Sequence, residues 1–312
     1  MQIAHFAMLR WNELKAAVER KVGATTLSAI SAFVVDAKPN LWGEKQPLHF
    51  VRKYVAVALY KDLSGKSYDT IEREVHPGFA LPHTTLQHNV QVLRLVMRRW
   101  AKENMVLGSL DDWRDAVKDV KFDRKKFPKL CTWADSVNFR LQRSAGRGPS
   151  SDYWSGTSEG PARRFMILRD GDGRIIKAWG GYSPKTFDAH FMEIQHDWLE
   201  ENMRGAGIVA DQHFRPADAT FDTIEWYTPI RKPRPPRKRK REDQRGQWQA
   251  PGVLTKKQEQ WNEAVHAVRA RIEKPFGDIK TRWNGLGRPW GEDPEQLDCL
   301  IWTAIGVYNA QK

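Results

Sequence analysis

Apolar positions in the first hundred residues recur with a helical period. Leu14, Ala17, Val18 and Val22 fall at i, i+3, i+4 and i+8, which predicts one amphipathic helix. A Pro- and Gly-bearing loop is expected at Lys38–Pro47, followed by a mostly apolar helix over Phe50–Tyr60. Ser67 is the expected cap of a short helix carrying Tyr68, Ile71 and Val75. From about His83 to Trp100, the side chains Leu86, Val90, Leu93, Met97 and Trp100 form one apolar helical face.

Beyond residue 118 the pattern shifts to short apolar runs alternating with longer helical ones. Leu130–Leu141 alternates like a strand. Phe165–Leu168 and Ile175–Trp179 flank RDGDGR, whose Asp172–Gly173 predicts a hairpin. Ser183–Pro184 reads as the start of a helix with Phe187, Phe191, Ile194 and Trp198 on one stripe. Gly207–Ala210 is a buried strand ending at Asp211, and Ile224–Ile230 is another candidate. A long helix is expected from about Thr255, and a last one capped by Asp293–Pro294 with the stripe Leu297, Leu300, Ile301, Ala304 and Tyr308. The order describes a mixed α/β domain over 119–312 preceded by an all-helical domain over 1–118. Within the helical part, Phe50–Trp100 reads as a helix-turn-helix whose last helix presents Gln87 and Asn89 to DNA. The connection HPGFALP is longer than the usual turn, so a structural bundle is the other reading.

Composition narrows the function. With 40% hydrophobic residues among 312, the chain has enough apolar side chains for a sizeable core. At 29% charged and without an 18-residue apolar run, it is not expected to cross a membrane. The opening apolar stretch breaks at Arg10, too early for a secretory signal, and two cysteines supply no disulfide framework or zinc cluster. A reducing compartment follows. The net charge is +13, and the run Arg231–Arg241 holds eight basic residues, which leaves +5 for everything else. Such a cluster suits nuclear import or a phosphate backbone, because bound Lys and Arg release its counterions. Arg237, Lys238, Arg239, Lys240 and Arg241 are therefore candidate DNA contacts, in an insertion over 231–245.

Three acids stand at element ends where a metal site needs them. Asp135 lies in the first strand, Asp211 directly follows the fourth, and Glu273 sits on the long helix. Phosphodiester cleavage by two divalent ions requires hard oxygen ligands brought close together, and Mg²⁺ or Mn²⁺ offsets their repulsion. On the same helix Trp261, Val265, Val268 and Ile272 form the buried stripe. Asn262, His266, Arg269 and Glu273 repeat the spacing one residue on, and line either a DNA groove or a solvated flank.

These motifs resemble the PIF/Harbinger superfamily of DDE transposases and its domesticated nuclease-like relatives, over roughly Lys129–Asn309. RARIEKPFGDIKTRW is similar to that family's acidic helix followed by Phe-Gly, a basic residue (Lys280, with Arg269 a candidate DNA contact) and an aromatic. GRIIKAWGGYSPKTFDAH resembles its hairpin and the turn before its first long helix, and LDCLIWTAIGVYNAQK its closing helix, with Asn309 at the usual asparagine. The resemblance implies a ribonuclease-H-like mixed sheet flanked by helices, with Asp135, Asp211 and Glu273 as metal-binding triad and Asp188 as a fourth acid. It also implies double-stranded DNA at element ends as substrate, a Myb-like DNA-binding partner, a homodimer that joins two ends, and a nuclear location.

The chain departs from the family at two places. Asp135 is followed by Ser136 where the family has Gly. The run Ala210–Asp211–Gln212–His213–Phe214 stands where the family has Gly-Asp-Ser-Gly-Tyr. The main expectation is a transposase or endonuclease that hydrolyses and transfers DNA strands. The alternative is a domesticated, catalytically inactive DNA-binding or scaffold protein with the same fold.

Overall fold

The computed structural model describes residues 2–37, 47–75, 83–142, 154–155, 160–214, 221–232, 253–270 and 275–312. Most of the expected loop at Lys38–Pro47, the connection HPGFALP, the basic residues Arg237–Arg241, Ile272 and Glu273 lie outside these residues. Helices α1 (Gln2–Val22), α2 (Ala24–Ala37), α3 (Leu48–Ser64), α4 (Tyr68–Val75), α5 (His83–Glu103) and α6 (Leu110–Ala116) come first. There follow β1 (Leu130–Arg140), β2 (Trp154–Ser155), β3 (Gly160–Arg169), β4 (Ile175–Tyr182), α7 (Asp188–Ile194), α8 (His196–Asn202) and β5 (Gly207–Val209). A single 3-10 turn (Gln212–Phe214), β6 (Glu225–Tyr227), α9 (Lys256–Ala270), α10 (Pro275–Arg282) and α11 (Pro294–Asn309) complete the described elements. The protein is thus mixed α/β, with a mixed sheet and flanking helices.

The chain forms two compact units: Met1–Leu107 with Ser136–Thr186 and Glu273–Lys312, and Gly108–Asp135 with Phe187–Ile272. Strand β1 contributes its first half to the second unit and its second half to the first.

In the first unit the expected helical stripes are the buried ones. Leu14, Val18 and Val22 of α1, the α5 stripe Leu86–Trp100 and the α11 stripe Leu297–Tyr308 share one core with Phe139, Phe165 and Ile175. Local chemistry sets the ends. Ser67 Oγ accepts from the Thr70 amide at 3.2 Å to start α4, and Asp293 caps α11 by accepting from the Glu295 amide. Helix α3 stops at Gly65, which takes the left-handed conformation (φ 67°) that a Cβ disfavours. Strands β3 and β4 pair antiparallel, and the link Asp170–Arg174 is wider than a two-residue turn. There the Asp170 carboxylate accepts from the Arg174 amide at 2.8 Å, and Gly173 takes φ 83°.

Asn309, at the end of α11, makes a reciprocal pair with the first residue of β4. Its Nδ2 donates to the Ile175 carbonyl at 2.7 Å and its Oδ1 accepts from the Ile175 amide at 2.9 Å. The amide side chain takes the place of a neighbouring strand. Asn309→Ala leaves both backbone groups without that partner and is expected to cost about 1–3 kcal/mol, read as a lower thermal unfolding midpoint.

In the second unit β1 pairs parallel with β5, and β5 parallel with β6. Phe127 packs edge-on against Tyr227, with ring centroids 5.2 Å apart, and against Trp261 at 5.3 Å. Val265 and Val268 of α9 close this core over Trp133 and Val209. Helix α9 opens on a capping box, in which the Gln258 amide donates to Thr255 Oγ1 and the Thr255 amide to Gln258 Oε1.

One helix differs from expectation. Ser183 and Pro184 do not open it: Thr186 closes a single turn onto the Ser183 carbonyl, and Phe187 is extended (φ −68°, ψ 149°). The helix begins at Asp188 and restarts at His196. The buried positions are Asp188, Phe191, Met192 and Leu199, while Phe187 and Ile194 are exposed. Pro275 starts a new helix, since the first turn has no use for its missing amide proton.

Candidate functional site

Asp135 and Asp211 are brought together by strand register. Residues Leu130–Ala134 of β1 are all buried, and Asp135 is the first that is half-exposed. Trp133 is the register partner of Val209 in the parallel β1–β5 pair. Two residues further along each chain stand Asp135, inside β1 just past its pairing with β5, and Asp211, just past the carboxyl end of β5. Such ends are where open α/β sheets bind ligands. Asp211 Oδ1 accepts from the His213 amide at 2.6 Å. That bond folds the chain into the 3-10 turn, which the buried Phe214 anchors.

Asp188 is the first residue of α7, 4% exposed, on a helix that packs against this turn. A carboxylate there also faces the positive end of the helix dipole. Glu273 lies outside the described residues, between α9 and α10. Among the described residues no three His, Cys, Asp or Glu side chains group closely enough to hold a metal ion. Asp135 and Asp211 carry the hard oxygen donors that Mg²⁺ or Mn²⁺ takes, so these two residues would suit such an ion.

Beside Asp211 opens a cavity of about 500 Å³ within the second unit. Its polar lining includes Asp211, His213, Arg231, Lys232, His266 and Arg269, and Pro229, Ile230 and Leu254 form apolar wall. The α9 stripe Asn262–His266–Arg269 therefore does line a groove. Asn262 is committed to the fold, however. Its Nδ2 donates to the Ile230 carbonyl at 3.0 Å and its Oδ1 accepts from the Ile230 amide at 2.7 Å.

Arg231 is anchored on the Asp211 loop. Its Nε and Nη2 donate to the Gln212 carbonyl at 3.2 and 2.8 Å, and Nη2 lies 3.4 Å from His213 Nδ1. Neither Arg231 nor Lys232 stood out in the sequence from the rest of the basic run. The available signal was their place directly after the apolar segment Ile224–Ile230.

Among the described residues, the other expected DNA contacts belong to the first unit. Lys280 donates to the Asn138 carbonyl at 3.2 Å, with its ammonium 4.9 Å from the centre of the Phe139 ring. Gln87 and Asn89 are half-buried on α5 and His88 is exposed. No helix among the described residues is long and apolar enough to cross a membrane.

No curated protein and no solved structure matches the chain. Residues 126–310, however, match the transposase DDE domain. That span includes both aspartates, the cavity beside Asp211 and the closing helix, and the chain belongs to the DDE transposase family.

Proposed function

We propose that the protein is a DNA transposase and endonuclease of the PIF/Harbinger type, built on a ribonuclease-H-like domain. The observation that supports this reading is the β1–β5 register, which puts Asp135 and Asp211 each two residues beyond the paired Trp133 and Val209, within a DDE domain. Asp135, Asp211 and Glu273 would hold Mg²⁺ or Mn²⁺, with Asp188 as a fourth acid near the Asp211 turn. The chemistry such ions would supply there is polarisation of the scissile phosphate and activation of water, or later of a DNA 3′-hydroxyl, as nucleophile. The His213 amide fixes the Asp211 carboxylate. Arg269 on α9 and Lys280 on α10 neutralise DNA phosphates, and Arg237–Arg241 add a second basic stretch. Gln87 and Asn89 contact DNA from the helical N-terminal region. Double-stranded element ends as substrate, a homodimer that joins them, a Myb-like partner and a nuclear location complete the reading.

The residues beside the acids favour one second reading, a domesticated DNA-binding protein that does not cleave. Ser136 and Gln212–His213–Phe214 differ from the surroundings that Harbinger enzymes keep.

The test is nicking of supercoiled plasmid in Mn²⁺ at low salt by the wild type and by Glu273→Gln. Removing a metal-binding carboxylate is expected to lower the rate by about a thousandfold or more. Equal nicking by both proteins refutes the triad. Tight DNA binding with no nicking by either, element ends included, supports the silent reading.

A further inference from the structure

We propose that the cavity beside Asp211 is a phosphate subsite for a DNA strand, and that Arg231 is its principal substrate-binding residue. The inference rests on the reading of this site as one that handles DNA. Its charge is the first reason. Arg231 and Lys232, both exposed, and the half-buried Arg269 line a recess of about 500 Å³, three formal positive charges against the one negative of Asp211. The cations come from two separate elements, the segment after β6 and α9, and they converge where a single basic run along one helix face would not. A net positive, partly enclosed site favours an anion, because low-dielectric walls focus the field.

The walls narrow the class further. Pro229, Ile230 and Leu254 give apolar surface next to the cations, and Leu254 is only 8% exposed. A bare inorganic ion makes no use of such a wall, whereas the sugar of a nucleotide packs against it while its phosphate meets the cations. The volume lies in the range of small-ligand sites and suits one sugar-phosphate unit.

Arg231 is singled out by how firmly it is held. Asn262 clamps the amide and carbonyl of the preceding residue, Ile230. At its far end the guanidinium is tied to the Gln212 carbonyl through Nε and Nη2. Among the described residues the Nη1 group has no protein partner, and its two N–H donors are available for phosphate oxygens. A guanidinium fixed before the ligand arrives loses little conformational freedom on binding. Gln212 is also the neighbour of Asp211, whose carboxylate is held by His213. The phosphate-binding fork is therefore tied to the loop that carries the candidate metal-binding carboxylate, and a phosphate seated on Arg231 is held close to the reacting centre.

The experiment measures binding without catalysis. A short labelled DNA duplex, with and without a 5′-phosphate, is titrated in EDTA with full-length wild type, Arg231→Ala and Arg231→Lys, and salt dependence is recorded. Arg231→Ala is expected to weaken binding about tenfold, as losing a charge-assisted hydrogen bond does. It is also expected to lower the salt slope by about one counterion. Arg231→Lys keeps the charge without the fork and falls between the two. A loss confined to the 5′-phosphorylated duplex assigns the subsite to a strand end, and an equal loss on both assigns it to an internal phosphodiester. Unchanged affinity and slope in Arg231→Ala overturn the proposal. If Arg231→Ala also lowers the melting temperature, Arg231→Gln, which keeps a donor for the Gln212 carbonyl, is judged by the same criteria. Because no metal is present, a protein that never nicks DNA still gives a clear answer here. A nicking enzyme indifferent to Arg231 refutes the subsite alone.

Discussion

Asp62→Ala lowers the stability of the first unit by roughly 3–5 kcal/mol, the cost of leaving a buried charge without its partner. Asp62 of α3 and Arg94 of α5 are a fully buried ion pair, with both side chains 0% exposed. Arg94 Nε lies 3.2 Å from each Asp62 oxygen, and its Nη1 donates to Glu292 at 2.7 Å. Below it the guanidinium rests 4.8 Å from the centre of the Trp290 ring. Without Asp62 the cation keeps one half-buried carboxylate and no route to water. The contrast is the double variant Asp62→Leu with Arg94→Met, which removes both charges and fills the space. It is expected to lose far less than the sum of Asp62→Leu and Arg94→Met alone. Urea denaturation of the four proteins, followed by circular dichroism, reads the coupling directly, and additive losses refute it.

The same cluster gives the protein an acid limit. Burial works to raise the Glu292 carboxyl, but the Arg94 guanidinium, followed by Lys61, holds it below the ordinary carboxylate value. A depressed carboxylate contributes stability that is fully present above its unfolded value and is lost as pH falls through its folded one. Stability therefore declines below the usual carboxylate range. The decline is shallower in Glu292→Gln.

Much of this was legible in the sequence, and the boundary has physical reasons. The α5 and α11 stripes were readable because a helix buries one face at a fixed period, and all five named positions in each are buried. Asp135 and Asp211 could be singled out as candidates because an acid inside an apolar strand, or directly after one, is conspicuous. Their adjacency was not readable, since it depends on Trp133 meeting Val209 across two strands far apart in the chain. The Asp62–Arg94–Glu292 cluster left no local pattern for the same reason. Asn262 looked like a groove residue by its helical spacing. Its amide instead completes the backbone of Ile230, just as that of Asn309 completes Ile175. The Ser183–Pro184 start failed because a capping pair sets only a preference, and the chain buries Asp188 and Phe191 by starting later.

Gly207→Ala is expected to cost about a hundredfold in DNA nicking although Gly207 contacts no substrate. Gly207 opens β5, and its amide donates to the Lys129 carbonyl at 2.7 Å. An added Cβ would stand 2.6 Å from the Lys129 carbonyl carbon and oxygen and 2.6 Å from the Tyr227 ring. The Lys129 atoms are backbone, which cannot rotate away, so β5 must move relative to β1. Overpacking of this kind costs roughly 1–3 kcal/mol, and the second unit still folds. The displacement is carried four residues along to Asp211, which this strand pair sets in register with Asp135. A misplacement of about 1 Å between reacting groups suffices for a loss of that size. The signature is selective, with DNA affinity retained and the Mn²⁺-dependent rate reduced. Gly207→Ala that nicks at the wild-type rate would mean that the β1–β5 register does not set the spacing of the two aspartates.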